Sequence, residues 1–230
     1  MYGYGYGAFR HGMMGSSGGG AFSPTDLSGL KLWVDASDFV SDGAISQWND
    51  KSGLNNHLLQ PTGVNQPSVV LAQKNSMPIV RFGVLSYMDL TATISATTAR
   101  TELFLVKKAD GDRACALSDN NIYYATYLSS TTFYSATGNV YQEASGVTAN
   151  YDVIMHTRTG DTIKLYRNGV LLSSSTSSFS RTENTLTIFG RLSAGSPSIF
   201  DCAEHLFYNR VLTTQELADI QTYLATKWSL

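Results

Sequence analysis

The stretch that decides the fold is residues 200–230, FDCAEHLFYNRVLTTQELADIQTYLATKWSL, at the end of a 230-residue chain. Its second half specifies a helix. Thr213 followed by Glu216 is a capping box, in which each side chain satisfies a backbone N–H of the first turn. Leu212 and Leu217 occupy the hydrophobic-staple positions on either side of the cap. Leu217, Ile220, Leu224 and Trp228 then recur on one stripe of a 3.6-residue period, a helix with one buried face. Its first half, extended back to Ile199, reads as a strand running to Tyr208, with Asn209-Arg210 as the turn between the two elements.

Upstream, short strands and turn residues alternate. Thr162–Arg167 and Val170–Ser173 flank Asn168-Gly169, the pair that supplies both positive-φ positions of a type I′ hairpin turn. Ile163 and Leu165 fall on one face of that hairpin and Lys164 and Tyr166 on the other. Further strands are expected at Leu30–Asp35, Ile45–Asn49, Ser68–Leu71, Ile79–Phe82, Tyr87–Leu90, Glu102–Lys107, Ala114–Leu117, Ile122–Leu128 and Leu186–Phe189. Many short strands and a single helix predict an all-β fold, a two-sheet antiparallel sandwich with the C-terminal helix packed on an edge or open face.

Composition agrees with this assignment. Charged residues make up 15% against a usual share of about 25%, and 13 tyrosines with scarce Glu favour strands. The net charge of −2 comes with no basic stripe, so nucleic-acid binding by counterion release is not expected. No apolar run reaches the ~18 residues of a membrane span. Cys115 and Cys202 lie in apolar strand-like runs without metal-ligand spacing, either as buried thiols or as a long-range disulfide.

Residues 1–21 differ from the rest. Eight of the first twenty are Gly, Tyr2, Tyr4 and Tyr6 alternate with glycines, and Ser16–Gly20 has linker composition. In extended form the three tyrosines project from one side, a pattern suited to insertion in a groove or to strand addition. Residues 1–21 are therefore expected to be an anchoring arm that presents Tyr2, Tyr4, Tyr6 and Phe9 to a partner, and residues 22–230 a single domain. The N-terminus lacks the apolar core and cleavage site of a signal peptide.

LKLWVDASD, QWNDKSGLNNHLLQ and PIVRF, together with DTIKLYRNGVLL and the closing segment above, resemble the concanavalin A-like lectin/glucanase domains of the laminin-G-like type over about residues 27–230. The resemblance implies a jelly-roll sandwich. It does not imply one activity, because this fold hosts lectins, glycosidases and adhesion modules. Domains of this kind are frequent in phage virion proteins and in large bacterial surface proteins. With the Gly/Tyr arm, this implies a non-enzymatic virion structural protein: a decoration, head-fibre or tail-appendage component made in the host cytoplasm and displayed on the virion surface. Its expected partners are other virion proteins bound through residues 1–20, further copies of itself (trimers in particular) and a glycan. The alternative is a carbohydrate-binding module of a bacterial surface or secreted protein.

Site residues follow from the same reading. Glycosidases of this fold carry Glu-x-Asp-x-x-Glu on a strand, and this chain has none. Asp201 and Glu204 are three apart, and an odd offset on a regular strand puts them on opposite faces. No catalytic residue is assigned. Gly15–Gly19 matches the nucleophile-elbow pattern only within a linker. His156 and His205 are read as hydrogen-bonded structural residues. Asp110, Asp112 and Asp119 flank the strand at Ala114 and offer hard oxygen ligands of the type calcium uses, although Asp-Gly and Asn-rich tracts are also ordinary turn chemistry; no other cofactor is expected. Tyr123 and Tyr127 share one face of Ile122–Leu128. With Tyr134 and Tyr141 they form the candidate glycan or subunit surface, the alternative being a central strand packed on both faces.

Overall fold

A computed structural model describes residues 21–95, 99–108, 113–119, 124–129, 132–137, 140–145, 148, 150–176, 185–190 and 199–230. In chain order the strands are β1 (Leu30–Asp35), β2 (Gly43–Ala44), β3 (Gln47–Trp48), β4 (Leu58–Leu59), β5 (Ser68–Lys74), β6 (Met77–Phe82), β7 (Met88–Ser95), β8 (Ala99–Lys108) and β9 (Arg113–Ser118). They continue with β10 (Tyr124–Ser129), β11 (Thr132–Thr137), β12 (Val140–Ser145), β13 (Asp152–Thr159), β14 (Thr162–Arg167), β15 (Val170–Thr176), β16 (Thr185–Phe189) and β17 (Phe200–Tyr208). Helix α1 spans Thr214–Trp228.

Two antiparallel sheets result. The first runs β15-β14-β13-β8-β17-β6-β5-β2, with β1 also paired to β17; the second runs β12-β11-β10-β9-β16-β7-β4-β3. Most of the core between them is apolar: Leu32, Val34, Trp48, Phe82, Phe104, Ile154, Leu165, Phe189 and Phe207 are buried in one cluster. Phe82 stacks on Phe200 with ring centroids 4.7 Å apart, and Phe104 meets Phe189 edge-on at 5.9 Å. A second cluster lies on the outer face of the first sheet, where α1 sets Ile220, Leu224 and Trp228 against Leu103, Leu105, Met155, Leu206 and Tyr208. The expected helical stripe is therefore the buried stripe. Both halves of the capping box form, Thr213 accepting from the Glu216 N–H and Glu216 accepting from the Thr213 N–H.

Being covered on one face by the second sheet and on the other by α1 explains β17. All nine of its residues are buried, so its sequence shows no alternation. Its register against β8 shifts between Cys202 and Glu204, a bulge at Ala203. The bulge turns Ala203 and Glu204 to the same side. This corrects the expectation from strand parity: Asp201 and Glu204 both lie on the outer, helix-covered face. They do not meet there. Asp201 pairs with Arg81 (Nε–Oδ1 2.7 Å, Nη2–Oδ2 3.0 Å), whereas Glu204 points beneath the helix.

Five strands, β2, β4, β11, β12 and β13, were not expected from the sequence. β13 is central in the first sheet and buried at seven of its eight positions, including His156 and Arg158. It shows neither alternation nor an apolar run. The Asn-Gly hairpin forms as expected, with φ of 46° at Asn168 and 82° at Gly169. Cys202 is a buried free thiol, which removes the disulfide alternative.

Candidate functional site

Near the C-terminal end of α1 the outer face of the first sheet is not fully covered. A cleft of about 490 Å³ opens there, lined by Lys74, Lys107, Asn150, Tyr151, Val153, Asn168, Gln221, Ala225, Ser229 and Leu230. Cavities of roughly 300–1,000 Å³ are the usual size of small-ligand sites.

Each wall has a local cause. The β5–β6 turn, with Asn75 and Ser76 both at positive φ, reaches up to the helix end. There Lys74 Nζ donates to the Ser229 carbonyl at 2.8 Å and Asn75 Nδ2 to the Lys227 carbonyl at 2.7 Å. These contacts satisfy carbonyls that a helix C-terminus leaves without intrahelical partners, and they place a cation where the helix dipole favours one. On the opposite wall, Asn168 accepts from the Val153 N–H at 2.8 Å and donates to Asp152 Oδ1 at 2.8 Å, which locks the hairpin turn to β13. Gly169 at this turn lies so close to Gln221 that a Cβ would collide with the amide side chain.

The floor holds Tyr151 and Lys107. The Tyr151 hydroxyl reaches Asp201 Oδ2 at 3.3 Å, and the Lys107 ammonium stands 5.7 Å from the ring centroid. Burial, with the Asp201 charge beside it, pushes the Tyr151 hydroxyl well above its ordinary range. It therefore stays a neutral phenol. Just outside, Arg81, Lys107, Lys108 and Asp201 border a smaller hollow of about 240 Å³ that shares Lys107 with the cleft.

Beneath α1 the motif residues near Trp33 and at Lys227-Trp228 converge on two carboxylates. Glu204 accepts from Trp33 Nε1 (2.7 Å), Trp228 Nε1 (2.7 Å), Tyr223 OH (2.9 Å) and Lys227 Nζ (3.0 Å). Asp35 accepts from Lys227 and Lys51 and from the backbone N–H and hydroxyl of Ser37. Burial drives the Glu204 carboxyl up, reinforced by Asp35. For Asp35 burial acts upward too, but Lys227, Ser37 and Lys51 outweigh it and hold its carboxyl below the ordinary range. Two indole N–H groups can only donate, so this geometry holds Glu204 as the carboxylate. Asp50 organises the following loop by accepting from the N–H groups of Trp33, Ser52 and Asn56, each at 2.9 Å. The motif residues thus hold the helix and loop in place.

Between the sheets sits a second polar group. His205 Nε2 lies 2.9 Å from Glu102 Oε1, and His156 Nδ1 lies 4.0 Å from Oε2 of the same carboxylate. Both histidines are fully buried, in structural positions as expected. Burial lowers His156 to about 4.

The remaining sequence candidates fall as follows. Tyr2, Tyr4, Tyr6 and Phe9, Tyr123, and Asp110 and Asp112 lie outside the described residues. Asp119 is half-buried at the end of β9, and no group of three His, Cys, Asp or Glu that could hold a metal occurs among the described residues. Register sets Tyr127 opposite Tyr134, Tyr134 opposite Glu143 and Tyr141 opposite Ala136. The cleft itself was missed. Its residues come from five separate stretches, and the nearest signal was the Asn-Gly turn that forms one wall.

No protein-family model matches the chain, and no curated protein sequence matches it. Solved structures do. The chain is similar to the binding domain of Paraclostridial Mosquitocidal Protein 1, at 16% identity and a TM-score of 0.65, over 87% of this chain and 53% of that one. It is similar to the ligand-binding domain of botulinum neurotoxin serotype D in complex with N-acetylneuraminic acid, at 13% identity and 0.59, over 86% and 51%. It is also similar to an arabinofuranosidase complexed with arabinofuranosyl-α-1,2-xylobiose, at 12% identity and 0.62, over 80% and 51%. The chain thus spans about half the length of these structures. The likeness shows the fold, a two-sheet antiparallel β-sandwich. No helix among the described residues is long and apolar enough to cross a membrane.

Proposed function

We propose that this chain is a non-enzymatic glycan-binding module displayed on a virion surface, with the cleft at the end of α1 as its saccharide site and residues 1–20 as its attachment. The observation that carries the glycan reading is the cleft's make-up. The half-buried Tyr151 ring offers an apolar face, and the amides of Asn150 and Gln221 stand beside it as hydroxyl-recognising groups. Two of the sandwiches it resembles were solved with sugars bound, N-acetylneuraminic acid in one and an arabinofuranosyl xylobiose in the other. Glycoside hydrolysis needs two carboxylates flanking the scissile bond. The side chains lining this cleft are lysines, amides, a phenol, a hydroxyl and aliphatic groups, an arrangement that holds a saccharide without cleaving it.

Binding of the purified protein to a glycan array tests this. Tyr151→Ala should abolish the signal while the unfolding curve stays close to that of the parent. Unchanged binding would move the site elsewhere, and Tyr127, Tyr134 and Tyr141, the candidates drawn from the sequence, are the next residues to alter.

The virion reading rests on the alternation of Tyr and Gly in the arm and on the kind of protein in which such sandwiches recur. Deleting residues 1–20 should leave a folded domain that is absent from particles. Wild-type occupancy by the truncated protein would refute the role given to the arm.

A further inference from the structure

We infer that the cleft selects acidic saccharides, chains bearing a carboxylate or sulfate group, over neutral ones; this rests on the glycan reading above. The lining side chains include two ammonium groups, Lys74 and Lys107, and no carboxylate. The carboxylates close by are already engaged. Asp201 is held by Arg81 in a two-point contact, and Asp152 accepts from the Thr148 hydroxyl and from Asn168. Neither lysine forms an ion pair with a described carboxylate. Lys74 donates only to the Ser229 carbonyl, and Lys107 is exposed over the Tyr151 ring.

Two lysines elsewhere in the protein are treated differently. Lys51 is paired with Asp35 and Asp38, and Lys227 with Asp35 and Glu204. The cleft therefore sets two ammonium groups among lining side chains that include no carboxylate, in a chain whose formal net charge is −2. A concave wall focuses the field of these ammonium groups on an entering anion. Geometry assigns the parts: the sugar ring lies on Tyr151, its hydroxyls meet Asn150 and Gln221, and its acidic substituent sits between the two ammonium groups. A charge-assisted hydrogen bond is about twice as strong as a neutral one, so the acid group supplies much of the selectivity.

The test is an array that carries uronate-, sialate- and sulfate-bearing chains beside their neutral counterparts, read with the intact protein, Lys107→Gln and Tyr151→Ala. Acidic chains should be retained and neutral ones not, with binding falling as salt is raised. Lys107→Gln should weaken the best acidic chain about ten-fold, one charged hydrogen bond's worth. Lys107 is exposed and unpaired, so this variant folds as the parent does.

Equal retention of neutral and acidic chains, lost in Tyr151→Ala but unchanged in Lys107→Gln, would overturn the acidic selectivity and leave the glycan site standing. Retention of acidic chains unaffected by either variant would overturn the inference by placing the site elsewhere. Failure to retain any chain would sink the glycan reading itself.

Discussion

Replacing Glu204 by Ala should be among the most damaging single changes outside the apolar core. The carboxylate is 1% exposed and accepts four hydrogen bonds, from two indoles, a phenol and an ammonium. Removing one partner of a buried ion pair costs about 3–5 kcal/mol, because the donors left behind are neither rehydrated nor paired. Lys227 is spared part of this cost, since Asp35 remains beside it. Trp33 Nε1 and Trp228 Nε1 are not, so a loss of about 4 kcal/mol is expected from a typical total of 5–15. Glu204→Gln should lose nearly as much, since its amide must turn one donor toward the indoles and the ammonium. Urea unfolding followed by tryptophan fluorescence measures this, with the midpoint falling at an unchanged m-value. Lys227→Met gives the second edge of a double-mutant cycle and should show a coupling of at least 1 kcal/mol with Glu204→Gln. A loss below about 1 kcal/mol in Glu204→Ala would mean that water enters beneath the helix, and that the network does not hold it to the sheet.

Three further outcomes are expected. His156 titrates near 6.5 in the unfolded chain and about 4 when buried, so its contribution is complete above pH 6.5 and is lost as pH falls toward 4, a difference of roughly 3 kcal/mol; in His156→Gln the stability–pH curve should flatten over that window, and an unchanged slope would assign the acid sensitivity elsewhere. Leu224→Ala removes a side chain that is 1% exposed under the helix and should cost about 2–5 kcal/mol, read from the same urea curves. Gly190 sits at φ 96° with a Cβ position 2.5 Å from the Phe82 ring, so Gly190→Ala should cost about 1–3 kcal/mol from strain and overpacking, and a neutral substitution would show that β16 and Phe82 shift freely.

What could be read from the chain beforehand depended on how local the cause was. The capping box at Thr213 and Glu216 and the Asn168-Gly169 turn act within a few residues, and both appear as expected. β13 was invisible because both of its faces are covered and its interior side carries His156 and Arg158 beside Ile154, a mixture that neither period reports. The relation of Asp201 to Glu204 depended on one bulge, and nothing in DCAEHLF marks Ala203 as the extra residue. The cleft was hidden for a further reason. Lys74, Lys107, Tyr151 and Gln221 become neighbours only once α1 has crossed the first sheet, and each alone is an ordinary surface residue.

The position of β17 also sets when the protein can fold. It is the last strand to be made, yet it lies inside the first sheet, hydrogen-bonded to β8 on one side and to β6 and β1 on the other. Until residues 200–208 leave the ribosome, β8 and β6 have no partner between them, and Leu103, Leu105, Val80 and Ile79 stay uncovered. The sheet then closes through pairs that lie from 92 (Phe200–Lys108) to 178 residues (Leu30–Tyr208) apart in the chain, the kind of topology that folds slowly and exposes unpaired edges meanwhile. A nascent chain stalled before Phe200 should therefore engage chaperones and resist refolding on its own, whereas the same chain released after Trp228 gains the central strand and its covering helix in one step.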